Sequence, residues 1–289
     1  MRFVAFGEIL FDVIMDQAKL GGAPLNVASH IQRLGAESLV VSAVGEDELG
    51  RRAIKEISEL GLTTRYIKRS TYPTGRADVT LQDGNADYTF NEPSAWDDIT
   101  LTEPLPSQVD VLYWGSLVQR HETSRQSLKA LLTETKAPLR FFDVNIRKHF
   151  YTPAILDDGI AHATILKMND EEVSIVSSAV GRKGANLEES VRNLLAAYPL
   201  EMVLVTLGGD GSECFTKGGK CFRQACGNVD VVDTVGAGDS LSAAFISTLV
   251  GGGSVQEALH RGTMLANYVC GHRGAIPAYD GHIRALLGL

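Results

Sequence analysis

A glycine-rich string that ends in an acid carries the strongest chemical signal in this sequence. Residues 233–240 read DTVGAGDS and precede an apolar helical run at 241–250. Two glycines at a helix start leave backbone N–H groups uncovered, and the helix dipole adds positive potential there. Gly236, Ala237 and Gly238 are therefore predicted to form an anion hole for a phosphoryl group. Asp239 is placed to accept the proton of an attacking hydroxyl. An ordinary glycine-rich helix start is the alternative, and the full string weakens it.

A second glycine-rich motif opens another predicted helix near the amino end. Residues 21–28 read GGAPLNVA. The pair that includes Gly22 allows a ligand to approach the backbone closely, and proline fits a first helical position. Asn26 carries an amide that both donates to and accepts from hydroxyls, and Asp12 upstream adds a carboxylate that accepts from two hydroxyls. Together these residues predict a polyol site, although the GG-x-P pattern alone is a common loop.

Most of the chain alternates short apolar runs with amphipathic segments. This alternation favours an α/β fold in which a parallel sheet carries helices on both faces. Buried strands are predicted at residues 3–6, 38–44, 109–114, 139–144, 163–168 and 202–207, with two more strand-like runs near 214–216 and 220–224. Helices are predicted at residues 24–34, 48–60, 123–135, 187–198, 237–250 and 255–270.

Two stretches break the strand–helix rhythm. Residues 11–16 form a second strand-like run close behind the first, and residues 76–91 alternate as a two-stranded ribbon that turns at residues 83–85. Val79, Leu81, Tyr88 and Phe90 can share one face of that ribbon. These pieces predict a small β-sheet beside the main one, and a sheet exposed on one side usually covers something.

Bulk composition bounds the function classes. The 289 residues, 44% of them hydrophobic, suffice for one large core or a core with a small appendage. The formal net charge of −8 argues against binding to nucleic acid or to an anionic membrane. The four cysteines form no CxxC pair and are expected to be reduced thiols. With no signal-peptide pattern and no bilayer-length apolar stretch, a cytoplasmic protein is expected.

Taken together, the motifs resemble the ribokinase-like carbohydrate kinase family, also called the phosphofructokinase B family. The resemblance covers nearly the whole chain and includes Gly7-Glu8 and the VGEDELG string at residues 44–50. The strings GEILFD at 7–12, EPSAWD at 92–97 and DVNIR at 143–147 are similar to the bacterial fructokinase-like branch. The resemblance implies one three-layer α/β/α domain over residues 1–289, with a β-sheet lid formed by about 11–20 and 70–95.

On the acceptor side, the resemblance assigns Asp239 as the catalytic base and residues 236–238 as the anion hole. It implies sugar contacts from Asp12, Gly22 and Asn26, and the lid residue Asn91 is expected to line the same pocket. Arg147 resembles the arginine of the branch's D-x-N-x-R string, where a planar guanidinium reaches the transferred phosphate or the sugar. An ion pair between Arg147 and nearby Asp143 is the alternative.

On the donor side, the resemblance implies ATP and Mg²⁺. Asn169 and Glu172 match the family's N-x-x-E element, which organises Mg²⁺ and its waters around the triphosphate. A helix cap followed by acids is the alternative reading of these two residues. Residues 206–211 (TLGGDG), including Thr206, Gly208 and Gly211, resemble the nucleotide-binding loop, with a hairpin turn as the alternative. Thr263 falls where relatives often place Asn or His near the adenine, so weaker base contacts are expected.

A potassium ion is also implied by the resemblance. In relatives the ion lies behind the anion hole, and Asp233, the carbonyl of Val235 and the turn around Gly274 stand at matching places. The segment of four residues between Asp16 and Gly21 is shorter than in many relatives. A small lid is therefore expected, and a homodimer stays open.

The expected function is ATP-dependent phosphorylation of a sugar hydroxyl, with fructose converted to fructose 6-phosphate. Ribose, 2-keto-3-deoxygluconate, tagatose phosphate and nucleosides remain alternatives, because the fold and signature are shared while the pocket decides. A non-catalytic sugar or nucleotide sensor is a rival class, and the presence of Asp239 argues against it. A dinucleotide-binding oxidoreductase is disfavoured, since no G-x-G-x-x-G follows the first strand.

Overall fold

The computed structural model describes residues 1–14, 17–82 and 85–289. Its strands, in chain order, are β1 (Arg2–Phe6), β2 (Leu10–Ile14), β3 (Gln17–Gly21), β4 (Glu37–Gly45), β5 (Ile67–Ser70), β6 (Gly75–Gln82), β7 (Asn85–Phe90), β8 (Val111–Gly115), β9 (Leu139–Asp143), β10 (Ile165–Asn169), β11 (Met202–Thr206), β12 (Ser212–Thr216) and β13 (Cys221–Gln224). Its helices are α1 (Ala23–Arg33), α2 (Glu48–Glu59), α3 (Glu122–Glu134), α4 (Pro153–His162), α5 (Asp170–Ala179), α6 (Leu187–Ala197), α7 (Ala237–Val250), α8 (Val255–Cys270) and α9 (Gly281–Leu287).

The larger sheet has nine strands within the described residues, in the order β13-β12-β11-β10-β9-β8-β1-β4-β5. Strands β11 to β5 in this order are parallel, and β12 and β13 add an antiparallel edge. Each predicted buried strand corresponds to one of these strands. The predicted α/β fold class is confirmed.

Alternating side chains of the central strands feed two separate cores. On β1, Phe3 and Ala5 pack on the face covered by α1, α2, α7 and α8. Val4 and Phe6 point to the opposite face, which α3, α4, α5 and α6 cover. Because both faces are buried, the strands read as continuous apolar runs. The result is a three-layer α/β/α arrangement.

Helix starts follow local capping chemistry. The side chains of Asp47 and Asn186 each accept a hydrogen bond from the backbone N–H three residues later, at the starts of α2 and α6. Thr152 does the same before Pro153 at α4, a helix that the periodicity analysis did not predict. Strand β5 and the short helix α9 were likewise not predicted, because four and seven residues give too little periodicity.

A separate four-stranded sheet, in the order β3-β2-β6-β7, accounts for the two out-of-rhythm stretches. Strand β2 pairs antiparallel with β3 and parallel with β6, and β6 pairs antiparallel with β7. Residues 83 and 84 of the turn expected at 83–85, and the end of the run expected at 11–16, fall outside the described residues. So do the side chains of Val79, Leu81 and Tyr88, on which the expected shared face depends.

The carboxyl ends of the parallel strands gather the polar residues of interest at one edge of the large sheet. Strand β1 leads into Gly7-Glu8, β9 ends at Asp143, β10 ends at Asn169 and β11 ends at Thr206. This edge is where open α/β sheets bind ligands. All four cysteines are free thiols. Within the described residues, no helix is both long and apolar enough to cross a membrane.

Candidate active site

The two glycine-rich motifs meet where the amino ends of α1 and α7 converge. The Nδ2 atom of Asn26 donates a hydrogen bond of 2.8 Å to Oδ2 of Asp239, although the two residues are 213 positions apart. The predicted polyol site and the predicted base therefore form one site. This contact also fixes the orientation of the Asp239 carboxylate.

Glycine is required at both helix entrances. Gly22, which caps α1, has φ of 110°, and a Cβ there would lie 2.4 Å from the carbonyl oxygen of Glu8. Gly236, which caps α7, has φ of 79°, and a Cβ there would lie 2.5 Å from the Cβ of Ala275. Residues with a side chain rarely adopt these backbone conformations, and neither position has room for a Cβ atom. The backbone at both helix starts is thus left uncovered.

Burial and charge set the acidity of Asp239. Burial, reinforced by the charge of Asp143, raises the pKa of Asp239 to about 6. The hydrogen bond from Asn26 and the positive charges of Lys167 and Arg147 oppose that rise. A carboxylate with this pKa is mostly ionised at neutral pH and is more basic than an ordinary aspartate. Both properties suit a general base.

Two buried acceptor atoms near this junction have no hydrogen-bond partner in the described part of the chain: Oε2 of Glu8 and Oδ1 of Asn26. Burial raises the pKa of Glu8 to about 7, with the charge of Asp239 adding to the rise and Arg147 opposing it. Unsatisfied buried acceptors are costly, and a ligand that brings hydroxyl donors removes that cost.

Asp12, on β2 of the small sheet, faces a cavity of about 500 Å³. Burial raises its pKa to about 6, and the charge of Asp233 adds to the rise while Arg147 and Lys19 oppose it. The cavity is bounded by four carboxylates and two basic side chains among the described residues: Asp12, Glu56, Glu59, Asp233, Lys19 and Arg273. Its charge is therefore net negative.

Asn91 is engaged in a different network. Its Oδ1 atom accepts from the backbone N–H of Arg76 at 2.7 Å and from the hydroxyl of Ser94 at 2.8 Å, and its Nδ2 atom donates to the carbonyl of Thr74. Arg120 also donates to the Asn91 carbonyl at 3.0 Å. The amide of Asn91 thus holds the base of the small sheet together, and none of these hydrogen bonds is to Asn26 or Asp239.

Asp143 pairs with Lys167 and not with Arg147. The Nζ atom of Lys167 donates to Oδ1 of Asp143 at 2.9 Å, and the hydroxyl of Tyr113 donates to Oδ2 at 3.0 Å. Arg147 is exposed, and its Nη1 atom donates to the carbonyl of Ile146. The Asp143 pairing considered for Arg147 is therefore wrong, while its charge reaches Glu8, Asp12 and Asp239 through space.

Neither Lys167 nor Tyr113 was predicted as a site residue. A usable signal was present, because Lys167 and Asp143 are charged residues within or at the end of otherwise largely apolar strands. Lys167 and Asp143 are direct neighbours in the register of β10 and β9. Only that register shows that the two charges meet.

The donor side is a second cavity, of about 680 Å³. The anion-hole residues Ala237 and Gly238 line it, and Glu172, predicted to organise Mg²⁺, does not. All the residues predicted to bind ATP line it: Asn169, Thr206, Gly208, Gly211 and Thr263. The segment from Cys226 to Val229, with Asn267 and Cys270, lines it as well and was not predicted. Five of its lining residues are glycines: Gly208, Gly209, Gly211, Gly227 and Gly238.

Asn169 and Glu172 form a reciprocal helix cap. Oδ1 of Asn169 accepts from the N–H of Glu172 at 2.7 Å, and Oε2 of Glu172 accepts from the N–H of Asn169 at 2.8 Å. Oε1 of Glu172 accepts from the N–H of Ile146 at 2.7 Å. The acids that line the donor cavity are instead Asp170 and Glu171. No group of three or more His, Cys, Asp or Glu side chains arranged for direct metal ligation occurs in the described part of the chain.

Asp233 connects the loop before the anion hole to the loop near the carboxyl end. Its Oδ1 atom accepts from the N–H of Val235 and its Oδ2 atom accepts from the N–H of Gly274, both at 3.0 Å. The three residues predicted to surround a potassium ion are therefore adjacent. Ala275, next to Gly274, also packs against Gly236.

Comparisons with known proteins find relatives of this chain in sequence and in fold. The chain is 31% identical over 310 residues to Fructokinase-2 of Zea mays, covering 95% of this chain and 90% of the relative. Among solved structures, fructokinase from Vibrio cholerae O395 superposes with a TM-score of 0.85 at 22% identity, covering 99% of this chain and 98% of that one; it was solved with fructose, ADP and calcium. Aminoimidazole riboside kinase from Salmonella enterica superposes with a TM-score of 0.83 at 21% identity, covering 99% and 100%.

The model of the pfkB family carbohydrate kinases matches residues 3–280. This match spans both glycine-rich motifs, the cap at Asn169 and the loop at Gly274. The resemblance inferred from the motifs is confirmed, and the chain belongs to the pfkB family of carbohydrate kinases.

Proposed function

We propose that this carbohydrate kinase transfers the γ-phosphoryl group of ATP to a hydroxyl of fructose, giving fructose 6-phosphate and ADP. The observation that carries the proposal is the hydrogen bond from Asn26 to Asp239. It joins a polyol-type site to a base, and the base lies in the first turn of the helix whose amino end suits an anion. The 31% identity to the Zea mays fructokinase supports fructose as the acceptor.

In the proposed reaction, the oxygen of the sugar hydroxyl bonds to the γ-phosphorus while Asp239 takes the proton of that hydroxyl. The bond between that phosphorus and the β,γ-bridging oxygen breaks, and ADP leaves with the electron pair. The backbone N–H groups of residues 236–238 bind the charge on the phosphoryl oxygens, an electrostatic contribution that needs no proton transfer. Asn26 keeps the carboxylate aimed at the hydroxyl.

On the sugar side, the unpartnered atoms of Glu8 and Asn26 suit a substrate with several hydroxyl donors. The four carboxylates around the Asp12 cavity disfavour an acceptor that already carries a phosphate, because like charges repel. Asp12 and Gly22 complete the proposed sugar contacts, and Arg147 supplies positive charge nearby. Asn91 supports the small sheet from outside this set.

We propose that the small sheet, over about residues 11–20 and 70–95 of a single domain spanning residues 1–289, acts as a lid over the sugar. The position of Asp12 on strand β2 supports this role. A lid that excludes water would protect the phosphoryl group from hydrolysis.

Magnesium is proposed at the phosphate end of the donor cavity. The carboxylates of Asp170 and Glu171 supply the hard oxygens that Mg²⁺ prefers, and Glu172, whose oxygens accept backbone N–H bonds, suits an indirect contact through water. When bound, the ion would neutralise triphosphate charge. Potassium is proposed at Asp233, Val235 and Gly274, and a Vibrio cholerae fructokinase variant was solved with fructose, ADP and potassium.

An ADP-release assay with a panel of acceptors tests the proposal. The panel contains fructose, ribose, 2-keto-3-deoxygluconate, tagatose 6-phosphate and a nucleoside. Fructose is expected to exceed the keto acid by at least about tenfold in kcat/KM, because buried groups set for hydroxyls stay unpaired when a hydroxyl is missing. A higher kcat/KM for the keto acid would mean that Arg147 reads a carboxylate and that fructose is wrong. If none of the acceptors in the panel supports ADP release, the proposed function as a whole is contradicted.

A further inference from the structure

Lys167 is a buried lysine that has no role in the reaction as proposed above. Its side chain is 9% exposed and that of its partner Asp143 is 1% exposed. The lysine is held from one side by Asp143, which Tyr113 in turn holds through its hydroxyl. Both charged residues lie on adjacent central strands, so the ammonium has little freedom to move.

The ammonium lies beside the anion hole. A Cβ added to Gly238 would lie 3.3 Å from Nζ of Lys167. Glycine at this position leaves the path between the ammonium and the first turn of α7 open. The same turn carries Asp239, and Ala237 and Gly238 line the donor cavity.

We propose that the Lys167 ammonium binds a non-bridging oxygen of the phosphoryl group in transfer and is therefore a catalytic residue. This role rests on the proposed phosphoryl transfer. Lys167 keeps its proton throughout, so the bonds that form and break are those given above. Its contribution is a fixed positive charge added to the backbone N–H groups of residues 236–238.

The charge balance of the site favours such a role. Glu8, Asp143, Glu172 and Asp239 bring four carboxyl groups to this site, and the triphosphate adds more negative charge. Burial by itself would lower the pKa of Lys167, but the charges of Asp143 and Glu172 outweigh it and raise the pKa, so the ammonium stays protonated. An ammonium carries three N–H donors, and Asp143 accepts one of them.

Testing the role requires a variant that does not leave Asp143 as an uncompensated buried charge. The double variant Lys167→Gln/Asp143→Asn is neutral and keeps groups that can hydrogen-bond to each other and to Tyr113. We expect its kcat with fructose to fall about 10²-fold, as for the loss of one oxyanion donor. The KM for fructose should stay within about threefold, because the lysine contacts the phosphoryl group and not the sugar.

A binding measurement separates contact with the phosphoryl group from a structural role. Wild type and variant are titrated calorimetrically with ADP alone and with ADP plus aluminium fluoride, in the presence of fructose and Mg²⁺. ADP alone should bind equally to both proteins, while the phosphoryl mimic should bind at least about tenfold more weakly to the variant. Unchanged binding of the mimic, or a kcat within threefold of wild type, would overturn the role of Lys167.

Two controls keep the result interpretable. If the first double variant does not fold by thermal melting, Lys167→Met/Asp143→Leu replaces the buried pair with apolar groups, which proteins often tolerate. The wild-type protein measured alongside distinguishes the two proposals. If wild type releases no ADP with fructose, the proposed function is contradicted. If wild type is active and only the variant has a reduced kcat, the result concerns Lys167.

Discussion

The two halves of the active site are built from different materials. The acceptor half uses buried charged side chains that lie far apart in the sequence, and burial raises the pKa values of Glu8, Asp12 and Asp239. The donor half is lined by glycines, loop residues and uncharged side chains of α7 and α8, and its charged lining residues in the described part of the chain are Asp170 and Glu171. Removing a proton from the acceptor hydroxyl requires an ionisable group held in a fixed position. A nucleotide can instead be bound by the shape of the cavity and by backbone N–H groups. We therefore expect loss of the proposed base Asp239 to affect kcat, and loss of an uncharged donor-wall side chain such as Thr263 to affect mainly the KM for ATP.

The largest effect is expected from Asp239→Asn. The amide keeps the size and the contact with Asn26 but cannot take a proton, so kcat should fall by about 10² or more. Steady-state ADP release measures this change, and fructose binding should be nearly unaltered. Asp230→Asn, an exposed change just upstream of the same string, is the matched control. A kcat of Asp239→Asn within about threefold of wild type would rule out the base assignment.

Asp12→Ala should have the next largest effect. Loss of a half-buried carboxylate set for hydroxyls should lower kcat/KM for fructose by at least about tenfold. Asp78→Ala serves as the control, because Asp78 lies on the same small sheet and pairs with Arg76. Equal kcat/KM values for the Asp12 variant and this control would remove Asp12 from the sugar site.

The pH dependence should report the acceptor half directly. The pKa of Asp239 is raised to about 6, so its carboxylate becomes protonated as the pH falls through that value. The protonated form cannot act as base, and kcat/KM should therefore decrease about tenfold for each unit below pH 6, because kcat/KM reports the free enzyme. A profile of kcat/KM for fructose from pH 5 to 8, with circular dichroism to verify folding, measures it. A constant kcat/KM down to pH 5 would contradict the assigned acidity.

A smaller effect is expected from the monovalent cation. An ion at Asp233, Val235 and Gly274 would stiffen the loop that carries residues 236–238, so K⁺ should raise kcat several-fold over Na⁺. Rates in the two chlorides are compared at matched ionic strength. Identical rates would argue against a potassium site, and the hydrogen bonds of Asp233 would then be sufficient to hold the loop.

The smallest effect is expected in the donor half. Thr263→Val removes a buried hydroxyl that lies 3.4 Å from the hydroxyl of Ser212, a weak contact at most. The KM for ATP should change by about fivefold or less, with kcat unchanged. A large loss of kcat in this variant would break the contrast between the two halves.

The sequence by itself determined the local chemistry. The glycine-rich strings around Gly22 and Gly236 predict two helix starts, indicate Asp239 as a candidate base and identify the family. The strand–helix rhythm likewise determined the parallel sheet. These features depend on neighbours in the sequence and so can be read along the chain.

Only the tertiary structure decided which distant groups meet. Asn26 donates a hydrogen bond to Asp239, 213 residues away, and Lys167, not Arg147, pairs with Asp143. The side chain of Asn91 donates to the carbonyl of Thr74 at the base of the small sheet. Each outcome depends on strand register and helix packing, because a shift of one residue sends a strand's side chains to the other face. For the same reason the sequence placed a lysine on an apolar strand without revealing that its ammonium lies beside the anion hole.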